Sequence, residues 1–427
     1  MNMRQVVVAL CVVMVIALPL RAAERPVAPS ADLDALSLAD KTPLPTEQLA
    51  QKWRIFFEGA AGEGALRGTD SRFNTSRASI DARLDAVVAP SVRGVLSNRF
   101  DLVHSGGVPR GSDVNTLREA YMSWARADDQ LIDFGRVNLR HGAAMGFNPT
   151  DWFKEGALRS IVSPDPMVLR ENRQGTVVLQ AQKLWDAGSV SAAFSPKLGI
   201  AADTATFALN AGATNPRNRW LIAGSYKFSD KFNPELLLHG GVDTPTQSGL
   251  NVSALVSDAV VVFGEFSAGK GRTLVAQALA LPEVERRQRR AALGLTYTTE
   301  FNLTVTAEAE YNSAAPNRDQ WNLLSGIDSA GPRRVLALAQ THQDLPVRRA
   351  WFFHARWKDA ILRRLDFSGF LRRDAETGSR AQWLEARYHW ERADLAVQWQ
   401  MYSGKSRSVY QSIPQRRAVE AVLRAYF

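Results

Sequence analysis

Cysteine is nearly absent from this sequence: the 427-residue chain has one, Cys11, which lies inside an apolar run near its start. A disulfide needs two cysteines, and redox and structural zinc sites need several at short spacing. The sequence therefore excludes a disulfide framework, a CxxC redox centre and a thiolate metal site.

Long apolar runs are also scarce. The run from Val6 to Leu20 is too short to cross a bilayer as a helix. Arg4 precedes it and small residues follow it, which is the order of a secretory signal peptide. No stop-transfer pattern follows, which disfavours an uncleaved membrane anchor. We therefore predict a cleaved signal peptide at residues 1–23 and an exported mature chain.

The segment after the signal peptide, residues 24–50, contains the proline-bearing elements PVAPS and TPLPTE. Such composition is typical of a linker. We predict a periplasmic N-terminal extension here, followed by one domain over residues 51–427.

Blocks of like charge and catalytic motifs are missing as well. The formal net charge is +9, but the densest charged stretch, PEVERRQRR at 282–290, mixes signs. The six histidines are scattered and form no HExxH motif. A GxxxxGK pattern ends at Lys270, but glycine replaces the usual Ser or Thr after it. The sequence implies no nucleic acid, metal, cofactor or energy source.

Strict alternation of apolar and polar residues is what the sequence does have. It runs through SRASIDARLDAVV at 76–88, LTVTAEAEY at 303–311 and the final RRAVEAVLRAYF. Alternation over about ten residues, repeated many times, is the signature of transmembrane β-strands.

The sequence has about 18 segments of this kind, and we predict 16 to 18 strands. An even number is typical of single-chain bacterial barrels. Besides the three above they cover 53–60, 92–102, 116–126, 131–138, 176–185, 189–195, 219–228, 234–242, 249–256, 260–267, 288–298, 348–358, 364–373, 380–390 and 394–403. We predict an all-β fold, a closed antiparallel transmembrane β-barrel. Closure removes the sheet edge, so the last strand is expected to pair with the first.

The connections support the barrel independently, because short and long ones alternate. The predicted long set is 104–115, 139–175, 196–218, 243–248, 268–287, 312–347, 374–379 and 404–415. Short periplasmic turns and longer extracellular loops are typical of outer-membrane barrels. Aromatic residues near many strand ends suit the two interfacial girdles of such a barrel.

The strand alternation places many charged side chains in the lumen. Candidate pore-lining residues by this rule are Arg83, Arg99, Arg356 and Arg387. A barrel of this size is wide enough to hold water, so these charges need not be neutralised. They either stiffen the wall as salt bridges or set a field that selects ions, and both roles can hold at once.

One stretch leaves the alternation for more than thirty residues, after the strand that ends near Asn138. Asn148, Pro149 and Asp151 have the order of a helix N-cap, a first-turn proline and an early acid. This order predicts a short helix over 149–160. A long loop with its own helix is usually functional.

The order REAY-x-x-W at 118–124, then a strand with Gly135 and Arg136, then G-x-x-x-GFNPTDWF at 142–153 resembles a known group. It is similar to bacterial outer-membrane porins related to the alginate-export and phosphate-selective groups. The resemblance covers about residues 116–155. It implies a porin barrel with a loop, here about 142–170, that folds inward and narrows the pore.

The resemblance also implies a place for particular residues. Arg136 matches the arginine of the GR element, and Asp151 belongs to the NPTD element. We expect Arg136, Arg140, Asp151, Lys154 and Arg159 near a constriction, with Asp151 capping a helix or pairing with an arginine.

The sequence thus predicts an outer-membrane channel for passive diffusion of small polar, anionic solutes. Its expected partners are outer-membrane lipid and lipopolysaccharide, the barrel-assembly machinery and these solutes. A dedicated exporter of an acidic polysaccharide, an outer-membrane enzyme and a surface receptor with function in the 312–347 loop are the alternatives. Import or export, and monomer or homotrimer, stay open at this point.

Overall fold

A computed structural model describes residues 52–69, 71–105, 113–327 and 330–427. The predicted signal peptide at 1–23 and the predicted extension at 24–50 lie outside the described residues.

The described strands form one 18-stranded antiparallel sheet, in which each strand pairs with its neighbours in chain order. The strands are β1 Trp53–Leu66, β2 Arg72–Ala89, β3 Val92–Ser105, β4 Val114–Ala127, β5 Gln130–Val137, β6 Thr176–Trp185, β7 Gly188–Ser195, β8 Arg219–Tyr226, β9 Glu235–Gly241, β10 Thr244–Ser257, β11 Val260–Gly271, β12 Arg286–Thr298, β13 Leu303–Asn312, β14 Arg349–Trp357, β15 Leu365–Asp374, β16 Arg380–His389, β17 Ala393–Ser403 and β18 Gln415–Tyr426. The sheet closes where β1 pairs with β18, with Phe56 opposite Tyr426 and Glu63 opposite Val419. The prediction of a closed antiparallel barrel of about 18 strands is confirmed.

The two faces of the wall differ as the alternation predicts. Leu84, Leu384 and Val397 point outward and are exposed, whereas Asp81 and Glu308 point inward and are buried. No helix among the described residues is long and apolar enough to cross a membrane. In a closed sheet every strand has a partner on both sides, so the backbone N–H and C=O groups are hydrogen-bonded within the barrel. With an apolar outer face, such strands are suited to span a membrane.

Connections at the two ends of the barrel differ in length. We call the end that carries Trp53 and Tyr426 the terminal end, and the opposite end the long-loop end. Turns at the terminal end include 90–91 and 128–129, and the long-loop end carries 138–175, 196–218 and 313–348. One predicted long connection, 243–248, is wrong. Strand β10 begins at Thr244, and a two-residue turn with Asp243 at φ 56° replaces the loop.

Short helices lie in the long-loop connections. They are α1 Pro166–Glu171, α2 Ala211–Thr214, α3 Leu274–Ala278, α4 Arg318–Ile327 and α5 Gly331–His342, with 3-10 turns at Trp152–Lys154 and Tyr410–Ser412. The predicted helix over 149–160 is wrong: only the 3-10 turn forms there, and Asp151 makes no capping hydrogen bond. The capping order occurs later, where Asp165 accepts from Met167 N at 2.9 Å and Pro166 opens α1.

A packed layer covers part of the long-loop end. Trp321 of α4, Val335 of α5 and Tyr410 are buried in one apolar cluster with Val347. The Trp321 indole also donates to the Arg407 carbonyl at 2.9 Å. This layer fixes the 313–348 and 404–414 connections to each other above the lumen.

Candidate channel constriction

The connection between β5 and β6, residues 138–175, crosses the lumen, and we call it the inward loop. On one side its Gly146 N–H donates to Glu308 of β13 at 2.9 Å. On the other side its Val162 carbonyl accepts from Arg77 of β2 at 3.3 Å. The loop is therefore hydrogen-bonded to strands on two sides of the lumen.

Two wall carboxylates hold the first part of the inward loop. Glu265 of β11 accepts from Ala144 N at 2.6 Å. Glu308 accepts from Met145 N at 2.6 Å and from Gly146 N at 2.9 Å. A buried hydrogen bond of this kind contributes about 0.5 to 1.5 kcal/mol. Three of them dock this turn of the loop against the β11 to β13 wall.

Two glycines make this close approach sterically feasible. Gly142 has φ +82°, and a Cβ there would meet the Glu265 carboxylate at 2.2 Å. At Gly146 a Cβ would meet Glu310 Oε1 at 2.3 Å and Phe352 Cγ at 2.6 Å. The G-x-x-x-G spacing of the sequence therefore has a packing cause: only glycine leaves room for the wall carboxylates.

The NPTDW residues extend the attachment of the loop to the wall. Thr150 Oγ1 donates to Asn251 Oδ1 at 2.7 Å. The Trp152 indole N–H donates to Gln247 Oε1 at 2.8 Å, and its ring stacks on His239 with centroids 5.1 Å apart. Thr150 and Trp152 thus make tertiary contacts with the wall where the sequence predicted a helix.

Asp151 pairs with an arginine of the same loop. Its Oδ2 accepts from Arg173 NH1 at 2.5 Å, and both side chains are buried. Burial raises the pKa of Asp151, but the charges of Arg173, Arg170 and Lys154 outweigh that effect and hold the pKa below its usual value. The pair joins the middle of the inward loop to its C-terminal end.

The side chain of Lys154, a residue of the inward loop, is buried between this loop and its neighbours. Its Nζ donates to the Asn148 carbonyl at 2.7 Å, lies 3.7 Å from Asp344 and is 4.7 Å from the centre of the Phe147 ring. Burial lowers the pKa of Lys154, and Asp344 and Asp151 partly offset this. Lys154 therefore links the inward loop to the 313–348 connection.

Arg136 and Arg159 bind carbonyl oxygens. Arg136 donates to Gly175 at 2.7 Å and to Leu209 at 2.8 Å. Arg159 donates to Asn115 at 2.8 Å and to two carbonyls of the 196–218 connection. These two guanidinium groups thus tie that connection to the C-terminal end of the inward loop and to the start of β4.

Arg140 differs from the other four predicted constriction residues. It is half-buried, and its side chain makes no hydrogen bond or ion pair within the described part of the chain. Its charge acts on the neighbouring Arg170, whose pKa burial and nearby cations lower. Arg140 is thus a cation of the loop that forms no ion pair with any carboxylate of the described residues.

Arg99 belongs to a buried network, which we call the Glu58 cluster: Glu58, Arg77, Arg99 and Arg424. Glu58 accepts from Arg99 at 2.7 Å, from Arg77 at 2.9 Å and from Arg424 at 2.5 Å. Arg99 also lies 2.8 Å from Asp101. The cluster spans β18, β1, β2 and β3, so it bridges the seam at which the barrel closes.

Arg83, Arg356 and Arg387 face the lumen nearer the terminal end. Arg83 pairs with Glu119, and Arg356 lies 3.6 Å from Asp366. Arg387 makes two hydrogen bonds to Glu385, at 2.8 and 2.9 Å. Of the nine predicted residues, four hold the loops and four belong to the wall, and Arg140 is a loop cation that does neither.

Several residues of the site were not among the predicted ones. Arg118 is one of them, and the reason why alternation failed to predict it is specific. It donates to Asp81 at 2.5 Å and to Asn172 of the inward loop at 2.9 Å. Its neighbour Glu119 also faces inward, because the register with β3 shifts there. Strict alternation cannot place two adjacent residues on one face. Arg118 is the first residue of the REAY element, so that element carried the signal.

The apolar outer wall, the closed 18-stranded sheet and the loop across its lumen define a transmembrane β-barrel of the porin architecture. No family model and no curated protein matches the sequence.

Solved structures do match. OccAB1 of Acinetobacter baumannii has a TM-score of 0.56 at 12% identity, over 88% of this chain and 96% of its own. OccK2 (OpdF) of Pseudomonas aeruginosa, solved in complex with glucuronate, has a TM-score of 0.53 at 11% identity, over 88% and 97%. The outer membrane protein opdK of the same organism has 0.50 at 7%, over 88% and 98%. The predicted outer-membrane porin architecture is confirmed.

Proposed function

We propose that this protein is an outer-membrane channel for small anionic solutes and that the inward loop is its constriction. The turns of the terminal end then face the periplasm, and the long-loop end faces the outside, as in other barrels of this architecture. The fold supports a passage through the lumen, and the loop contacts on both walls support a narrow one.

The observation that carries the anionic preference is that the arginine is the more exposed partner in three ion pairs of the wall. The Arg356 side chain is 38% exposed and its partner Asp366 16%. Arg83 is 32% exposed against 15% for Glu119, and Arg424 is 21% against 1% for Glu58. The guanidinium groups thus stand between the carboxylates and the lumen. A solute passing along this wall meets the positive ends of the pairs.

A small carboxylate is the substrate class that fits best. Guanidinium groups bind carboxylates in a planar, two-point geometry. A partly paired arginine keeps free N–H donors for a passing anion and holds it weakly enough to release it. The glucuronate bound by OccK2 is such a carboxylate. The loop contacts on both walls favour single small solutes over an exported polysaccharide chain.

Solute flux through the barrel in lipid vesicles tests this proposal. Glucuronate and glucose are close in size and differ by one charge, so the ratio of their entry rates measures charge preference. We expect glucuronate to enter faster. The double variant Arg83→Ser, Arg356→Ser should reduce the ratio by about five- to thirtyfold, because each of the two removed charges contributes about 1 kcal/mol at close range in water.

The matched control for this variant removes two exposed cations elsewhere. Arg126→Ser, Arg333→Ser loses the same charge from the outer wall and from α5. It should leave the flux ratio unchanged. Equal entry of glucuronate and glucose through the native barrel would contradict the anionic preference, and no entry of either would contradict the channel itself.

The charge preference should also depend on pH through Asp165. Burial raises the pKa of Asp165 to about 6, the Glu385 charge adds to this, and the Met167 N–H and Arg356 oppose it. Between about pH 7 and pH 5 the loop therefore loses one negative charge. We expect the preference for glucuronate to rise over this interval, and to rise less in Asp165→Asn.

The sign of the stability effect follows from the same shift. The Asp165 carboxyl binds its proton more tightly in the native barrel than in the unfolded chain. Protonation therefore adds to the free energy of unfolding, fully below about pH 4, and this contribution is lost as the pH rises through about 6. Asp165→Asn should remove this dependence from the unfolding curve of the barrel. A flux ratio with the same pH profile in both proteins would exclude Asp165 as the titrating group.

A further inference from the structure

The outer wall carries an unexplained arrangement of cations near the long-loop end. Arg373 of β15 lies directly opposite Arg380 of β16, and Ser403 is the next partner across in β17. These positions alternate with the inward-facing Arg372 and Asp374, so the two arginines point away from the lumen. Like charges directly opposite each other destabilise a sheet unless an anion lies between them.

A shallow pocket lies between these side chains. It has a volume of about 380 Å³ and is lined by Arg373, Arg380 and Lys405, together with Ser403, Thr377 and Gly378. The three cationic side chains make no hydrogen bond or ion pair to any residue that the structure describes. The pocket therefore has three cations, two hydroxyl groups and no carboxylate in its lining.

The carboxylates next to this pocket are already used. Asp374 accepts from the backbone and hydroxyl groups of the turn it begins, including Thr377 N at 2.6 Å and Ser379 N at 2.9 Å. Glu376 is buried and accepts from Arg349 at 2.9 Å and from Arg318 N at 3.1 Å. No described acid is left to neutralise the cations of the pocket.

The pocket also lies at a defined level of the wall. Trp351, half exposed on the outer face, is directly opposite Arg373, and Leu384 points outward further along β16. The cations thus begin where the apolar band ends, at the height of lipid headgroups. At the terminal end the outer face instead ends in exposed aromatic residues such as Trp53, Trp124 and Tyr297.

A second pair of the same kind occurs elsewhere on the rim. Lys270 of β11 lies directly opposite Arg287 of β12, with Arg289 two residues further along the same face. All three are exposed, and Gln288 between the arginines is buried toward the lumen. Opposed cations thus recur on the outer face at the long-loop end.

We propose that the pocket formed by Arg373, Arg380 and Lys405 binds a phosphate group of the phosphorylated glycolipid, lipopolysaccharide, in the outer leaflet. A phosphate carries one to two negative charges and several acceptor oxygens, which would bridge the opposed arginines. The acyl chains of the same lipid would pack on the apolar wall below. This site lies outside the lumen, and it requires only that the long-loop end faces the outer leaflet.

Binding of a defined lipid A to the intact barrel tests the proposal. The protein in detergent is titrated with bis-phosphorylated lipid A and with its dephosphorylated form, and native mass spectrometry measures the bound fraction. The test variant is Arg373→Ser, Arg380→Ser, Lys405→Ser. The control variant, Arg126→Ser, Lys197→Ser, Arg333→Ser, removes three exposed cations from separate places.

We expect the native barrel and the control variant to bind the phosphorylated lipid with an affinity at least about tenfold higher than that of the test variant. Dephosphorylation should remove the difference. Equal binding by the test and control variants, or equal binding of the two lipids by the native barrel, would overturn the proposal. So would full displacement of the lipid by inorganic phosphate at a concentration equal to that of the lipid, which would indicate a site for free phosphate.

Glucuronate flux separates this proposal from that of the channel. The test variant should conduct as the native barrel does, because none of its three residues faces the lumen. The change in its electrophoretic mobility on heating, compared with that of the control variant, shows whether the test variant is folded. A folded test variant that has lost only lipid binding is the expected result.

Discussion

Replacing Glu58 with glutamine should strongly destabilise the barrel. The change replaces the carboxylate that Arg77, Arg99 and Arg424 share with a neutral amide, although Arg99 keeps its contact with Asp101. Removing one partner of a buried ion pair costs about 3 to 5 kcal/mol, because the remaining charge is left without compensation. We expect urea unfolding of the barrel in lipid vesicles to shift to a lower concentration. The unfolding rate should rise as the seam between β1 and β18 weakens.

Glu63→Gln is the matched control, because it changes the same residue type in the same strand. Glu63 pairs with Arg72 of β2 at 2.8 Å, but the two side chains are 53% and 68% exposed. An exposed pair contributes at most about 1 kcal/mol. If both variants shift the unfolding transition equally, the Glu58 cluster does not stabilise the seam.

Replacing Gly146 with alanine should release the inward loop from the β13 wall. The added methyl group would lie 2.3 Å from Glu310 Oε1 and 2.6 Å from Phe352 Cγ, so the loop must move. Overpacking of this kind costs about 1 to 3 kcal/mol, which is comparable to the hydrogen bonds that Glu308 makes to the loop. We expect a larger and noisier single-channel conductance and a weaker preference for anions.

Gly59→Ala provides the control for the methyl group itself. Gly59 is in β1, and a Cβ there meets no atom within 4 Å. The control should conduct as the native barrel does. An unchanged conductance in Gly146→Ala, with the variant correctly folded, would mean that the docked loop does not limit the passage.

The strands could be predicted because membrane and lumen impose opposite polarity on successive residues. Alternation alone located all 18 strands to within a few residues at most ends. It also placed Arg83, Arg99, Arg356 and Arg387 on the inner face. Where the pattern was interrupted, prediction was weaker: the register shift that brings both Arg118 and Glu119 inward is invisible to a rule of period two.

The inward loop shows why local signals fail inside a lumen. Asn148, Pro149 and Asp151 have the order of a helix start, yet Asp151 binds Arg173 and Asn148 binds a carbonyl of its own loop. Wall groups far away in sequence, such as Asn251 and Glu308, satisfy polar groups that a helix would otherwise satisfy. Because these partners lie far apart in the sequence, the sequence alone cannot show that they make contact.

Single-channel recording in a planar bilayer under a KCl gradient is the most direct test of the central claim, that the inward loop and the arginine-bearing wall form a narrow, anion-preferring passage. The account predicts discrete open steps and a reversal potential displaced toward that of chloride, and this displacement should shrink in Arg83→Ser, Arg356→Ser. A folded native barrel that gives no steps, or a reversal potential displaced toward that of potassium, would contradict it.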